Sequence, residues 1–495
     1  MWLYKYLIST LLISFASTVF LYSQQTKSVQ NTAAKLPEIP SDIELVVSDT
    51  YGIPAELAID ILLQVVKSPR ISKSKKKEIL LNAYQRLDEV QQPLQKKLLL
   101  RGLSSDTYQN LRSRAFAQKF DVFSLQSKIL RELLRFDKKK AREYVFQYRI
   151  EFSFQPVTCE DALDYDVSDF YELVTSVAKE SFTPQEIKSG IRLWALDSYV
   201  QDIRSASQIR PIGKMLLSLD LTTPELRQLV SSYSLAVKKL TTSDRAFFGA
   251  FLDSLGLFDR LITLTDKRNI QSEILTESIR SYIIKHLQSE RCSDNSTSAD
   301  VYTPSMVKWL NQNKLSATPL SVDEISPTRI IGSATLDDFW KTKPSNDLLG
   351  KLKKLRFESS NDESGDDILV TQERKQENDW KERFDEMLNE IENWDGLGEQ
   401  NSAIYFHQKC ILFSGLIDIV SDESAKDKVL HSFEKYLSQS PMQKESRMEW
   451  FLHVAELIRL VKPDVKKQNS FEYDLLSNSK NPVLRIYADF IRLNI

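Results

Sequence analysis

Glycine accounts for only 12 of the 495 residues, histidine for 4 and cysteine for 3, while 66 Lys and Arg nearly cancel 68 Asp and Glu. Each scarcity removes a class of protein. So few glycines cannot serve the many tight turns of a large sheet protein, whereas helices joined by short polar loops need far fewer. The four histidines form no paired zinc motif, and a net charge of −2 supplies no overall field toward nucleic acid or an anionic membrane. No Gly-rich phosphate loop and no Gly-x-Ser-x-Gly nucleophile elbow occurs, so no catalytic residue and no cofactor is assigned. Apolar residues make up 42%, which is ample for a sizeable core and excludes disorder as the class.

One long apolar run is present, at the start. Lys5 supplies a charged beginning, Tyr6 to Tyr22 is uncharged and mostly apolar, and Ser23 offers a small residue for cleavage, so residues 1–23 read as an export signal peptide. The run is near the lower limit for spanning a bilayer, and an uncut N-terminal anchor is the alternative, weakened by Ser9, Thr10, Ser14, Ser17 and Thr18. Leu21 is bulkier than the usual residue at its distance from a cut. No other stretch is apolar enough to span a membrane, so the expectation is a soluble chain, periplasmic or extracellular, with no membrane span once the signal is removed.

Gln24 to Asp42, polar with Pro37 and Pro40, reads as a tether. From Ile43 onward helix signals follow closely. Pro54 opens Ala55–Val66, Ser72 or Ser74 precedes Lys75–Val90, Asp121 leads Val122–Phe136, and Asp137 leads Lys138–Tyr148. Thr183, Pro184 and Glu186 form a capping box with an N1 proline ahead of a helix over Ile187–Ile203, and Thr223–Pro224 and Thr303–Pro304 open two more. Those three starts lie 40 and 80 residues apart, a weak sign of helix-pair repeats. Residues 301–370 form a loop-rich connector in which Ile330 and Ile331 allow at most a short strand. It separates an N-terminal helical body (43–300) from a C-terminal one (371–495) with helices near Thr371–Trp394, Ser402–Val420, Ser424–Leu437, Met442–Val461 and Pro482–Leu493. Short loops make successive helices antiparallel, so the expected fold is all-α, with antiparallel helix pairs stacked as an α-solenoid or layered helical array.

Charge is unevenly spread. Lys67 to Arg149 holds 21 Lys or Arg against 8 Asp or Glu, and Arg356 to Glu399 is strongly acidic; solvated helix faces are the plain explanation. The basic runs Lys73–Lys77 and Lys138–Lys140 lack the interleaved aromatics of a stacking surface, and nucleic acid is not an expected partner.

Among residues able to carry chemistry, Cys159 and Cys292 sit at the margins of helical stretches, whereas Cys410 lies among Phe406, Ile411, Leu412 and Phe413 on a core helix. In an oxidising compartment this favours a Cys159–Cys292 disulfide with Cys410 buried and free. For metal, His407 and Cys410 form an i, i+3 pair, Glu449, His453 and Glu456 share a helical face, and Asp427 with His431 repeats the acid–imidazole spacing on the preceding helix. Simple pairing outranks a metal site there. Glu160, Asp161, Asp164, Asp166, Asp169 and Glu172 lack the glycine and terminal Glu of a calcium loop, so a capping role is expected.

Thr158-Cys-Glu-Asp161 with Tyr165-Asp166, and Arg291-Cys-Ser-Asp-Asn295, resemble a group of uncharacterised, exported, helical bacterial proteins over Ile43 to Asn295. That resemblance implies export and a paired role for Cys159 and Cys292, and it implies no activity. The expected function is a noncatalytic scaffold that binds a protein or cell-envelope partner. The alternative is an exported helical enzyme, a lyase or hydrolase with carboxylates, Tyr and His, which a deep pocket holding His453 or His407 beside acids would favour.

Overall fold

The computed structural model describes residues 39–92, 96–98, 108–148, 163–242, 247, 250, 254–292, 299–312, 319–322, 325, 330–331, 339–361, 370–399, 401–440, 442, 447–461 and 471–493. The signal segment and most of the tether lie outside these residues, as does Cys159. Residues Ile39–Ile495 form one compact unit. Its architecture is all-α, a layered array of antiparallel helix pairs as the patterning predicts, with two minimal strand pairs among the described residues.

The clearest layering runs through the first half. Helices α5 (Val122–Leu134), α7 (Ser168–Glu180), α10 (Ile209–Ser218) and α12 (Leu255–Lys267) pack side by side in one row. Helices α6 (Lys138–Gln147), α9 (Ile191–Gln201), α11 (Thr223–Lys239) and α13 (Glu273–Leu287) make the second row. Within a row the helices run parallel: Arg192 at the start of α9 reaches Glu225 at the start of α11, and Lys285 near the end of α13 donates to the carbonyl of Leu240 just past α11. Each helix is antiparallel to its partner in the other row, so four hairpins stack as a solenoid segment. The first-row helices start at Val122, Ser168, Ile209 and Leu255, steps of 46, 41 and 46 residues.

Caps explain many of these starts. The Asp121 and Asp137 carboxylates accept the amides of Ser124 and Lys140, both at 2.9 Å, as the sequence predicts. Thr183 makes its capping box with Glu186, but the helix it opens, α8 (Pro184–Lys188), is a single short turn and stops there. Gly190 sits at φ +80°, where a side chain would be strained, and restarts the chain as α9. The helix expected to open at Thr223 is capped instead by Thr222, boxed with Glu225, and Pro304 lies inside α14 (Ala299–Gln312) rather than at its start. The 40-residue spacing of Thr-Pro pairs therefore does not mark the repeat frame. Ile330–Ile331, where the sequence allows at most a short strand, pairs in parallel with Arg291–Cys292.

Beyond the stack, α15 (Lys343–Asn361) and α16 (Val370–Asn393) form a hairpin, so part of the expected connector is helical. Then come α17 (Ser402–Ile417), α18 (Glu423–Gln439), α19 (Arg447–Val461), α20 (Phe471–Ser477) and α21 (Pro482–Arg492). These last helices return to the beginning of the chain. α21 packs on α1 (Ser41–Asp49) and α2 (Ala55–Val65), the latter also covered by α3 (Lys73–Gln85), and α19 packs on α4 (Tyr108–Phe116). Arg447 of α19 engages fully buried Glu56 of α2 through both carboxylate oxygens, with Nε at 2.9 Å from Oε1. Phe120 meets Phe451 edge to face across the same seam. Helices assigned by sequence to the N-terminal and C-terminal bodies thus share a buried interface.

Candidate functional site

The most unusual chemistry lies inside that seam. α17 and α19 bury most of their circumference, and they carry His407 and His453, which are 1% and 0% exposed. The imidazoles bond each other, Nδ1 of His407 to Nε2 of His453 at 3.1 Å, one nitrogen donating and the other accepting. His407 Nε2 and His453 Nδ1 have no hydrogen-bond partner. The Glu456 carboxylate lies 3.6 Å from His453 Nδ1 and is paired with Arg114, which reaches in from α4. Ser414 Oγ stands 3.5 Å from the same carboxylate. Burial pushes the titration of His407 down to about 3. It drives His453 well below the ordinary imidazole range, with the neighbouring imidazole and Arg114 adding to the effect. Both rings are therefore neutral at physiological pH.

On the same helix, Lys409 is buried with its ammonium on the last carbonyls of α16: Glu392 at 3.0 Å and Trp394 at 2.6 Å. The cation satisfies acceptors that the helix end leaves orphaned and sits over the Tyr436 and Tyr405 rings at 5.0 and 5.6 Å. Gly396, at φ +78°, lets the chain turn directly under the Tyr405 ring, where a Cβ would come within 2.6 Å of ring carbon. Cys410, one turn from His407, is fully buried and free, as its setting in the sequence predicts, and burial pushes its thiol up.

The structure joins some expected groups and separates others. Glu449, His453 and Glu456 do share a buried face. α18 and α19 are neighbours, yet His431 is exposed while His453 is sealed, so the two acid–imidazole pairs do not converge. Among the described residues no group of three or more His, Cys, Asp or Glu is placed to hold a metal. Of the acidic cluster, Asp166 and Asp169 pair with Lys119, and Glu172 pairs with Arg131. The basic run is likewise engaged, Lys77 with Asp137 and Lys138 with Glu180. Described partners of the acidic stretch include Lys351 on Glu390 and Lys428 on Asp385. A cleft of about 170 Å³ between α15 and α16 has a Leu355 and Met387 floor, with Lys351 and Glu390 paired on its rim.

The second-row face shows the reverse of ordinary polarity. On α9, Arg192 points inward, where both Glu225 carboxylate oxygens accept from its Nη2 at 2.8 and 2.9 Å. Trp194 on the same helix is 75% exposed, and Ile191, one turn away, is about half exposed. A buried charge beside an exposed large aromatic is the informative departure from the usual sorting. Sequence patterning missed it because the two residues are separated by only one position.

No helix among the described residues is long and apolar enough to cross a membrane. No protein-family model, no curated protein and no solved structure matches the chain.

Proposed function

We propose that this chain is an exported helical scaffold that binds a protein or a cell-envelope component through the second-row face of its hairpin stack. One observation carries the reading: Trp194 and Ile191 stand in solvent on α9 while the charge beside them, Arg192, is turned into the core. An exposed tryptophan on a row of parallel helices is the kind of anchor from which interfaces draw most of their energy. The imidazoles that would serve an enzyme are 0% and 1% exposed, so no substrate reaches them in this conformation. Export and a Cys159–Cys292 disulfide belong to the same proposal, supported by the signal-like start and by Cys410 being the buried, free thiol. Non-reducing peptide mapping checks the disulfide, which fails if the two peptides run separately.

The binding test is site-specific photo-crosslinking in the native cell envelope, with the crosslinker placed at Trp194 and, as a control, at exposed Arg260 on first-row α12. A discrete adduct at 194 that is absent at 260 is expected. Identical adducts at both positions, or none at 194, overturn the reading.

A further inference from the structure

We propose that His407, His453, Glu456 and Arg114 form an acid-responsive clasp that holds α17 and α19 against α4 at neutral pH and releases them on acidification. The two ring nitrogens are 3.1 Å apart in a site closed to water, which a pair of neutral rings tolerates and a pair of cations does not. Protonation of both would add two positive charges beside Arg114, whose contacting carboxylate, Glu456, is already paired with it, while Asp418 and Arg459 act on Arg114 with opposite signs.

The other groups around the two rings are few. α19 itself adds buried Glu449, and α17 adds Lys409, committed to the end of α16, and the protonated Cys410 thiol. α18 offers Tyr436, whose ring stacks on Phe406, and α16 offers Glu392, bonded to Ser432. α15 presents Leu352 against Gly415, and on α21 Tyr487 is directed to Asp60. Opening the seam at Arg114 hydrates both rings at once, and this is where the N-terminal and C-terminal helices meet. The low titration of both imidazoles agrees in sign: the open form takes up protons below about 6.5 that the closed form refuses.

Cys410, one turn from His407, reports the opening in the full-length protein. Its modification by 4,4′-dithiodipyridine, located by peptide mapping and normalised to glutathione at each pH, is expected to be slow at pH 7. Below pH 6.5 it should accelerate by about 10-fold per pH unit for each imidazole, approaching 100-fold per unit for the pair. The double variant His407→Gln/His453→Gln loses that dependence. His286, the other buried imidazole, lies outside the clasp on α13, so His286→Gln leaves the slope unchanged. Should the double variant fail to fold, the wild-type slope still decides. A Cys410 rate flat from pH 7 to 4 removes the clasp, and a slope that drops in His286→Gln shows global unfolding and removes it equally.

Discussion

The hairpin stack of residues 122–287 and the returning helices of residues 402–492 are built from the same amphipathic pairs, yet they fill their interiors differently. In the stack, buried polar groups are mostly hydroxyls and amides bonded to the neighbouring helix: Tyr233 donates to the Ile209 carbonyl at 3.1 Å and Gln208 to Tyr171 Oη at 2.7 Å. Most ion pairs between rungs, such as Arg131–Glu172 and Lys138–Glu180, stay near solvent, where each contributes little, and Arg192–Glu225 is the buried one. The returning helices bury ionisable groups outright: His407, Lys409, Glu434, Glu449, His453 and Glu456, besides the Arg447 guanidinium on Glu56. Neutral bonds within and between neighbouring rungs make the stack repeatable. The closing contact occurs once, and buried charges there admit one register and penalise others.

The largest effect that would sharpen this contrast is loss of Arg447. Arg447→Ala leaves the Glu56 carboxylate buried without its cation and is expected to destabilise the fold by about 3–5 kcal/mol in denaturant unfolding. A loss near zero would mean the closing seam is incidental. Asp121 comes next, the buried cap at the head of the stack. Burial, opposed by its bonds to Ser124, pushes its carboxyl up to about 6. A raised value means the carboxyl favours folding most when protonated, and that contribution fades as pH climbs through 6. Asp121→Asn keeps a good cap and removes the charge, so a gain of about 1 kcal/mol is expected at pH 7 and none at pH 4. A gain that persists unchanged at pH 4 would break the assignment. Smallest is Trp194→Ser, expected to move stability by no more than about 0.5 kcal/mol while abolishing the crosslink-defined contact. A large loss of stability would return Trp194 to the core and remove the interface reading.

How much of this was legible in the sequence follows from the range of each interaction. Asp121, Asp137 and the Thr183–Glu186 box act within one turn, so residue type and spacing revealed them. Cys410 was placed correctly because its apolar neighbours are contiguous. Gly190 was not read as a break, since a left-handed residue between two helical patterns leaves no periodic signal. The helix over Lys343–Asn361 was hidden by a polar, serine-bearing end that ordinarily marks loops. His407 and His453 are 46 residues apart and Glu56 and Arg447 are 391 apart; no local pattern announces either pairing.

The central claim is that one buried, titratable seam closes an otherwise self-sufficient stack. Amide hydrogen exchange of the full-length protein at pH 7 and pH 4.5, corrected for intrinsic rates, tests it directly. The account predicts strong protection of α4, α9, α11 and α19 at pH 7, and at pH 4.5 a selective loss in α4 and α19 while α9 and α11 stay protected. Simultaneous loss in all four helices, or earlier loss in α9 and α11, would contradict it.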